Sequence, residues 1–304
     1  MLLISSNFNL AHFRILFTLY NRVVRLNLDH SGLNLMKSQL RIFSYRPNPR
    51  VFKSTITARI CDVSIEVRSA KPSELKNWLW DFDARAMNEN DLECHKALEH
   101  KAQTGYQGEL YKTKEFLQAN PYGTVPAAFS PDGAIGLFES NSIMRAVARL
   151  DNADTRIYGG DPYGSSRIDG FLDTSLLFAR DSQIYLLALM SETMTDKIYS
   201  ETESALENWL AGIESALSYN NFICDENLTL ADICFACELV LLQGEHQWEE
   251  YLLKAGKRLL FSEKLKAKFP RAVCHYNRLC ENKDFSPDIA PHLAKINSGE
   301  ALYD

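Results

Sequence analysis

What this sequence lacks narrows it first. No apolar run reaches the roughly 18–20 residues that a membrane helix needs. No block of Lys or Arg stands out against a net charge of −6. Neither a membrane span nor nucleic-acid binding is therefore expected. No secretory signal pattern is read at the start. The seven cysteines are odd in number and scattered, which suits reduced thiols in a cytosol-like compartment rather than a disulfide framework. Cys94, His95 and His100 find no second ligand cluster to complete a set of four, so no metal is expected. Acidic residues are missing from Met1 to Leu28, where Arg14, Arg22 and Arg25 lie among apolar residues. Residues 1–36 read as an N-terminal extension without a fold of its own. An organelle presequence or an amphipathic surface helix is the alternative reading.

What is present is a chain of 304 residues, 46% hydrophobic and 24% charged, the proportions of a globular protein with one large domain or two ordinary ones. Leu40–Tyr45 reads as a short strand that ends at Arg46-Pro-Asn-Pro49. Proline suits the first position of a helix, and Val51, Phe52, Ile56 and Ile60 follow at near-helical spacing up to Cys61. Val63–Val67 alternates as a second strand. This β-α-β order favours parallel strands. Residues 71–111 read as a polar, helix-prone insertion carrying Trp78, Trp80 and Phe82. Its aromatic segment is expected to pack as a satellite core, or else to cover a ligand or meet a partner. Val125–Phe129 and Ala134–Phe138 flank Ser130-Pro-Asp-Gly133, a hairpin turn with a mechanism, since Pro presets one backbone angle and Gly accepts a positive one. A helix from Ser140 to Leu150 follows, with Ile143, Met144 and Val147 inward.

After Asp151 the strand signals stop. Residues 165–189, 195–219, 229–243 and 261–281 read as helices. Thr229-Leu-Ala-Asp232 has the form of a helix N-terminal capping box. Cys234 and Cys237 imitate a redox pair but fall inside a buried helix, where packing is the better reading. Strands first and helices afterwards suggest two segregated modules joined near residues 151–154. The expected layout is 37–151, with an insertion at about 71–111, then an all-α module over 155–290 and a tail over 291–304.

Two features bear on function. Val125-Pro126 is expected to be a cis bond, because cis bonds are nearly confined to X-Pro. An ordinary edge-strand proline is the alternative. Glu139-Ser140 opens a helix whose exposed N–H groups favour an anion, and Ser140 also suits a simple cap. Together these parts can hold a small peptide by its backbone and its charged end.

Asn120-Pro121 with Thr124-Val-Pro126, Phe138-Glu-Ser-Asn-Ser142 and Thr229-Leu-Ala-Asp232 stand in the order found in the glutathione transferase superfamily, and residues 37–285 resemble it. Tyr45–Lys53 and Phe269-Pro270 further resemble the transferase-like module of the translation elongation factor 1 gamma subunit. A full gamma subunit carries a charged linker and a further domain beyond that module, and this sequence stops at Asp304. The resemblance implies an α+β fold, a thioredoxin-like N-terminal domain followed by an all-helical domain. It implies that Val125 and Pro126 hold the cysteinyl part of glutathione, that Ser140 holds the γ-glutamyl carboxylate, and that Glu139 accepts from the ammonium. Tyr45 and Asn48 stand where the family places its thiol activator, though Tyr45 also suits strand packing and Asn48 a chain turn. Phe178, Asp181 and Tyr185 fall where the family walls its electrophile pocket. The implied function is conjugation of the glutathione thiolate to a hydrophobic electrophile by a cytoplasmic homodimer. The alternative is a non-catalytic scaffold with a translation-factor partner.

Overall fold

The computed structural model describes residues 38–91, 99–101 and 109–303. The expectations for residues 1–36, Cys94 and His95 lie outside them. β1 (Leu40–Tyr45) is buried along most of its length, as suits a central strand. Asn48 closes the turn that follows, and its Oδ1 accepts the Arg50 N–H at 3.0 Å. Pro49 then takes the first position of α1 (Pro49–Ile60). β2 (Ile65–Ala70) returns parallel to β1, from Leu40 opposite Ile65 to Tyr45 opposite Ala70.

The segment expected to be helix-prone is instead a second small sheet. It holds β3 (Trp78–Trp80), β4 (Arg85–Ala86), β5 (Glu99–Lys101) and β6 (Glu109–Lys112), in the order β4-β3-β6-β5. Tertiary packing decided this. Trp80 is buried edge-on to Phe43 at 5.4 Å and to Phe116 at 5.7 Å, and its indole N–H donates to the Leu75 carbonyl at 2.9 Å. Once an aromatic cluster anchors a segment to a neighbouring core, its polar composition no longer sets the local backbone.

Thr113 caps α2 (Lys114–Ala119), accepting from the Phe116 N–H at 3.1 Å. β7 (Ala127–Phe129) pairs antiparallel with β1, and β8 (Gly136–Phe138) pairs antiparallel with β7. The main sheet thus has the order β2-β1-β7-β8. Gly136 is required by close approach, since a Cβ there would stand 2.0 Å from the Ala119 Cβ. α3 (Ser140–Arg149) buries Ile143, Met144 and Val147.

No strand follows β8 among the described residues. The helices are α4 (Pro162–Met190), α5 (Asp196–Ala216), α6 (Leu230–Leu242), α7 (Glu249–Lys254), α8 (Glu263–Lys268), α9 (Pro270–Glu281) and α10 (Ser286–Ser298). The single helix expected over 261–281 is two. Pro270 has no N–H to donate and starts the second one. α10 crosses the boundary expected at residue 290. Beyond it, Leu302 is buried and the Tyr303 ring stands 6.0 Å from that of Tyr45. The capping box forms: Asp232 Oδ2 accepts the Thr229 N–H at 2.8 Å and its hydroxyl at 2.9 Å. Asp232 Oδ1 accepts the Ile223 N–H at 2.9 Å and pairs with His275 Nε2 at 2.8 Å. Every residue of α6 is buried, Cys234 and Cys237 included. Residues from Ser38 onward form one compact unit, and α1 packs against α3, α6 and α10.

Candidate functional site

Five stretches of chain converge on a cleft of about 760 Å3: the end of β1, the start of α1, the loop before β7, the start of α3 and one face of α4. The loop owes its shape to Asn120, which is buried. Its Nδ2 donates to the Thr124 carbonyl at 2.6 Å, and its Oδ1 accepts the Tyr122 N–H at 3.1 Å. Val125-Pro126 is a cis bond, and Val125 lies two residues before the paired part of β7. At the facing wall Glu139 has φ +68°, a conformation that side-chain-bearing residues adopt at a cost and that gathers at binding sites. Its Oε1 accepts the Ser140 hydroxyl at 3.0 Å and the Asn141 N–H at 3.2 Å. The cleft therefore brings together Tyr45, Asn48, Val125, Pro126, Glu139 and Ser140.

The α4 wall differs from expectation. Arg180, Gln183, Ile184 and Leu187 line the cleft, at the spacing of one helix face. Phe178 and Tyr185 lie on the opposite face and are buried. Phe178 stacks on Trp209 at 4.5 Å, and the Tyr185 hydroxyl donates to Glu245 at 2.8 Å. Asp181 borders the neighbouring groove between α4 and α5, which shares Arg180 and Ile184 with the cleft. None of the three lines the cleft. Large aromatics on a core-facing helix go to the core, and the helix turns the smaller and polar residues outward.

A buried ionic cluster supports the floor. Lys53 Nζ lies 2.6 Å from Glu238 Oε1, 2.7 Å from Asn141 Oδ1 and 3.4 Å from Ser140 Oγ. Both charged side chains are only 1% exposed. Burial works against the Lys53 ammonium, but Cys234 and Glu238 outweigh it and raise its pKa. Burial also keeps the Cys234 thiol protonated, so the carboxylate is the partner that counts. Burial works equally against the Glu238 carboxylate, and Lys53 with Arg50 hold its pKa below the ordinary value. Arg50 Nε stands 3.4 Å from Glu238 Oε1. Its guanidinium also donates to the Ala179 carbonyl at 2.8 Å and to Gln183. Sequence reasoning missed Arg50, Lys53 and Glu238. An acid in the middle of the apolar run Ile233–Leu242 was the available signal, because a carboxylate is not buried without a partner.

The activator positions carry a weaker arrangement. The Asn48 amide is buried, capping α1 through Oδ1 and donating from Nδ2 to the Ser44 hydroxyl at 3.0 Å. Burial is the main influence raising the Tyr45 pKa, with Arg50 opposing and Glu238 assisting. The phenol is therefore protonated at neutral pH, able to donate but not to take a proton. Among the described residues no group of His, Cys, Asp and Glu could hold a metal ion, and no helix is long and apolar enough to cross a membrane.

Comparison with known proteins agrees with this fold. Residues 181–281 match the glutathione S-transferase C-terminal domain. A probable elongation factor 1-gamma of Arabidopsis thaliana is 33% identical over 64% of this chain and 42% of its own length. Elongation factor 1-gamma of Trypanosoma cruzi is 29% identical over 57% of this chain and 39% of its own length. The chain thus spans less than half the length of these relatives. Among solved structures, a glutathione transferase of Populus trichocarpa superposes with a TM-score of 0.56 at 17% identity, over 84% of this chain and 99% of that one. A Phanerochaete chrysosporium transferase in complex with oxidized glutathione gives 0.55 at 16%, over 85% and 98%. The two structural likenesses show the glutathione transferase fold, and residues 181–281 are similar to the C-terminal domain of that family.

Proposed function

We propose that this chain is a transferase-like binding module of the elongation factor 1-gamma kind, one that accepts a γ-glutamyl peptide such as glutathione without activating its thiol. The observation that carries the reading is at the start of α1. The Asn48 side chain there is buried, capping the helix through Oδ1 and giving one amide N–H to Ser44. A thiol with a pKa near 8.5 needs a donor beside it to become a nucleophile at neutral pH. The sequence relatives support the same reading, since those compared are named as elongation factor subunits. The cleft would hold the peptide backbone at Val125 and its carboxylate at Ser140 and the α3 N-terminus. A translation elongation factor subunit is the partner proposed, with cytoplasmic placement and pairing with a second copy.

A second reading is favoured by one observation: Tyr45 lines the cleft with a protonated phenol. A hydroxyl donor there would stabilise a thiolate, which would then add to an electrophilic carbon or displace its leaving group. Two measurements separate the readings. Calorimetric titration with glutathione tests the cleft, and Ser140→Ala should weaken that binding. Turnover of a chlorinated nitroaromatic acceptor tests the chemistry. Binding without turnover, together with co-purification with an elongation factor subunit from cell extract, is the expected result. Turnover lost in Tyr45→Phe would overturn the non-catalytic reading in favour of the enzyme.

A further inference from the structure

A second cavity, of about 430 Å3, shares no lining residue with the cleft. Its borders are the turn between β1 and α1, the end of β2, the N-terminal part of α10 and the chain around Tyr303. Three cations line it, Arg46, Lys71 and Lys295, and among the described residues none has an ion-pair partner. Among the described residues the one lining carboxylate, Asp288, is already paired with Arg59 at 3.0 Å. His292 also lines the cavity. It is 4% exposed, stands edge-on to Phe52 at 5.6 Å, and among the described residues its Nδ1 has no hydrogen-bond partner. A buried polar atom left unpaired costs free energy, and this one sits beside unneutralised positive charge. The remaining walls are apolar or aromatic, Phe52 and Tyr303 among them.

We infer that this cavity binds a small amphipathic anion, a flat apolar body carrying a phosphate or a carboxylate. Arg46, Lys71 and Lys295 meet the charge, His292 supplies one neutral donor, and Phe52 and Tyr303 flank the body. The volume lies in the range of small-molecule sites. Burial and the nearby Lys295 push the His292 imidazole down to about 4. The ring is thus uncharged at neutral pH and can present an Nδ1–H in one tautomer. The inference stands apart from the function proposed for the cleft.

The test titrates the full chain with 1-naphthyl phosphate and with 1-naphthoate by calorimetry. Inorganic phosphate and 1-naphthol serve as probes of each half alone. One of the two naphthyl anions should bind at least about tenfold tighter than either half probe, the scale of one charge-assisted hydrogen bond. The tighter of the two identifies the head group. Arg46→Ala and Lys295→Ala should each weaken it about tenfold on the same grounds. Excess glutathione should leave it unchanged. Arg46 and Lys71 are exposed, so Arg46→Ala/Lys71→Ala should keep the wild-type thermal midpoint and still lose binding. Undiminished binding in that double variant, displacement by glutathione, or no binding of any probe would overturn the inference.

Discussion

Removing the Lys53 ammonium tests most directly how the two modules hold the cleft between them. Lys53→Met deletes the contacts to Glu238 at 2.6 Å and to Asn141 at 2.7 Å. Glu238 is left buried, with Arg50 at 3.4 Å as its one cationic neighbour among the described residues. Leaving one member of a buried pair uncompensated costs about 3–5 kcal/mol. Glu238→Leu should cost about as much, since it leaves the buried Lys53 ammonium without its carboxylate. Lys53→Met/Glu238→Leu replaces the pair with apolar groups. It should recover about 2 kcal/mol or more of the summed single costs, because neither Lys53 nor Glu238 is left buried without the other. Urea unfolding reads all four proteins, with unchanged m-values as the condition for comparing midpoints. Lys53 also contacts Ser140 and Asn141 at the start of α3, so the folded double variant should bind glutathione more weakly than wild type. The reasoning is refuted if the singles lie within about 0.5 kcal/mol of wild type, or if the double equals their sum within about 0.5 kcal/mol.

Burial raises the Glu245 carboxyl to about 7, although the Phe261 and Leu260 N–H groups and the Tyr185 hydroxyl all donate to it. Its folded pKa thus lies above the unfolded value of roughly 4.3, so its contribution is fully present below that pH and is lost as pH rises towards 7. Chemical unfolding at intervals from pH 4 to 8 should show a decline of at most about 4 kcal/mol from this group. Glu245→Gln should flatten that slope, and an equal slope in both proteins would count against it. Gly136→Ala forces a Cβ into Ala119 and should cost about 1–3 kcal/mol, the range for overpacking, read as a lowered urea midpoint. An unchanged midpoint would mean that β8 and α2 separate freely. Asn48→Ala removes the α1 cap and should cost about 1–2 kcal/mol. The same variant should leave the glutathione dissociation constant within about twofold, less than the loss of one hydrogen bond.

Much of the fold was legible because it rests on local chemistry. Pro49 after Asn48 starts a helix wherever it stands, Pro131-Asp-Gly133 turns a hairpin, and Thr229 with Asp232 caps α6. The second sheet was not legible. Trp80 takes its environment from Phe43, Leu75 and Phe116, and the two aromatic partners lie more than thirty residues away in opposite directions along the chain. The split at Pro270 was legible in principle, since an interior proline removes a helical hydrogen bond.

The sequence by itself determined the cleft's backbone: the cis Val125-Pro126 bond, the loop tied by Asn120, and a serine at the start of α3. These depend on residues close together in the chain, so neighbouring residue types are enough to specify them. Only the tertiary structure decided what surrounds that backbone. It turned Tyr185 into the core and Gln183 into the cleft, paired Lys53 with Glu238 across 185 positions, and set Lys71 and Lys295 around His292. Burial and charge act through space, and the partner that makes a buried charge tolerable can come from anywhere in the chain.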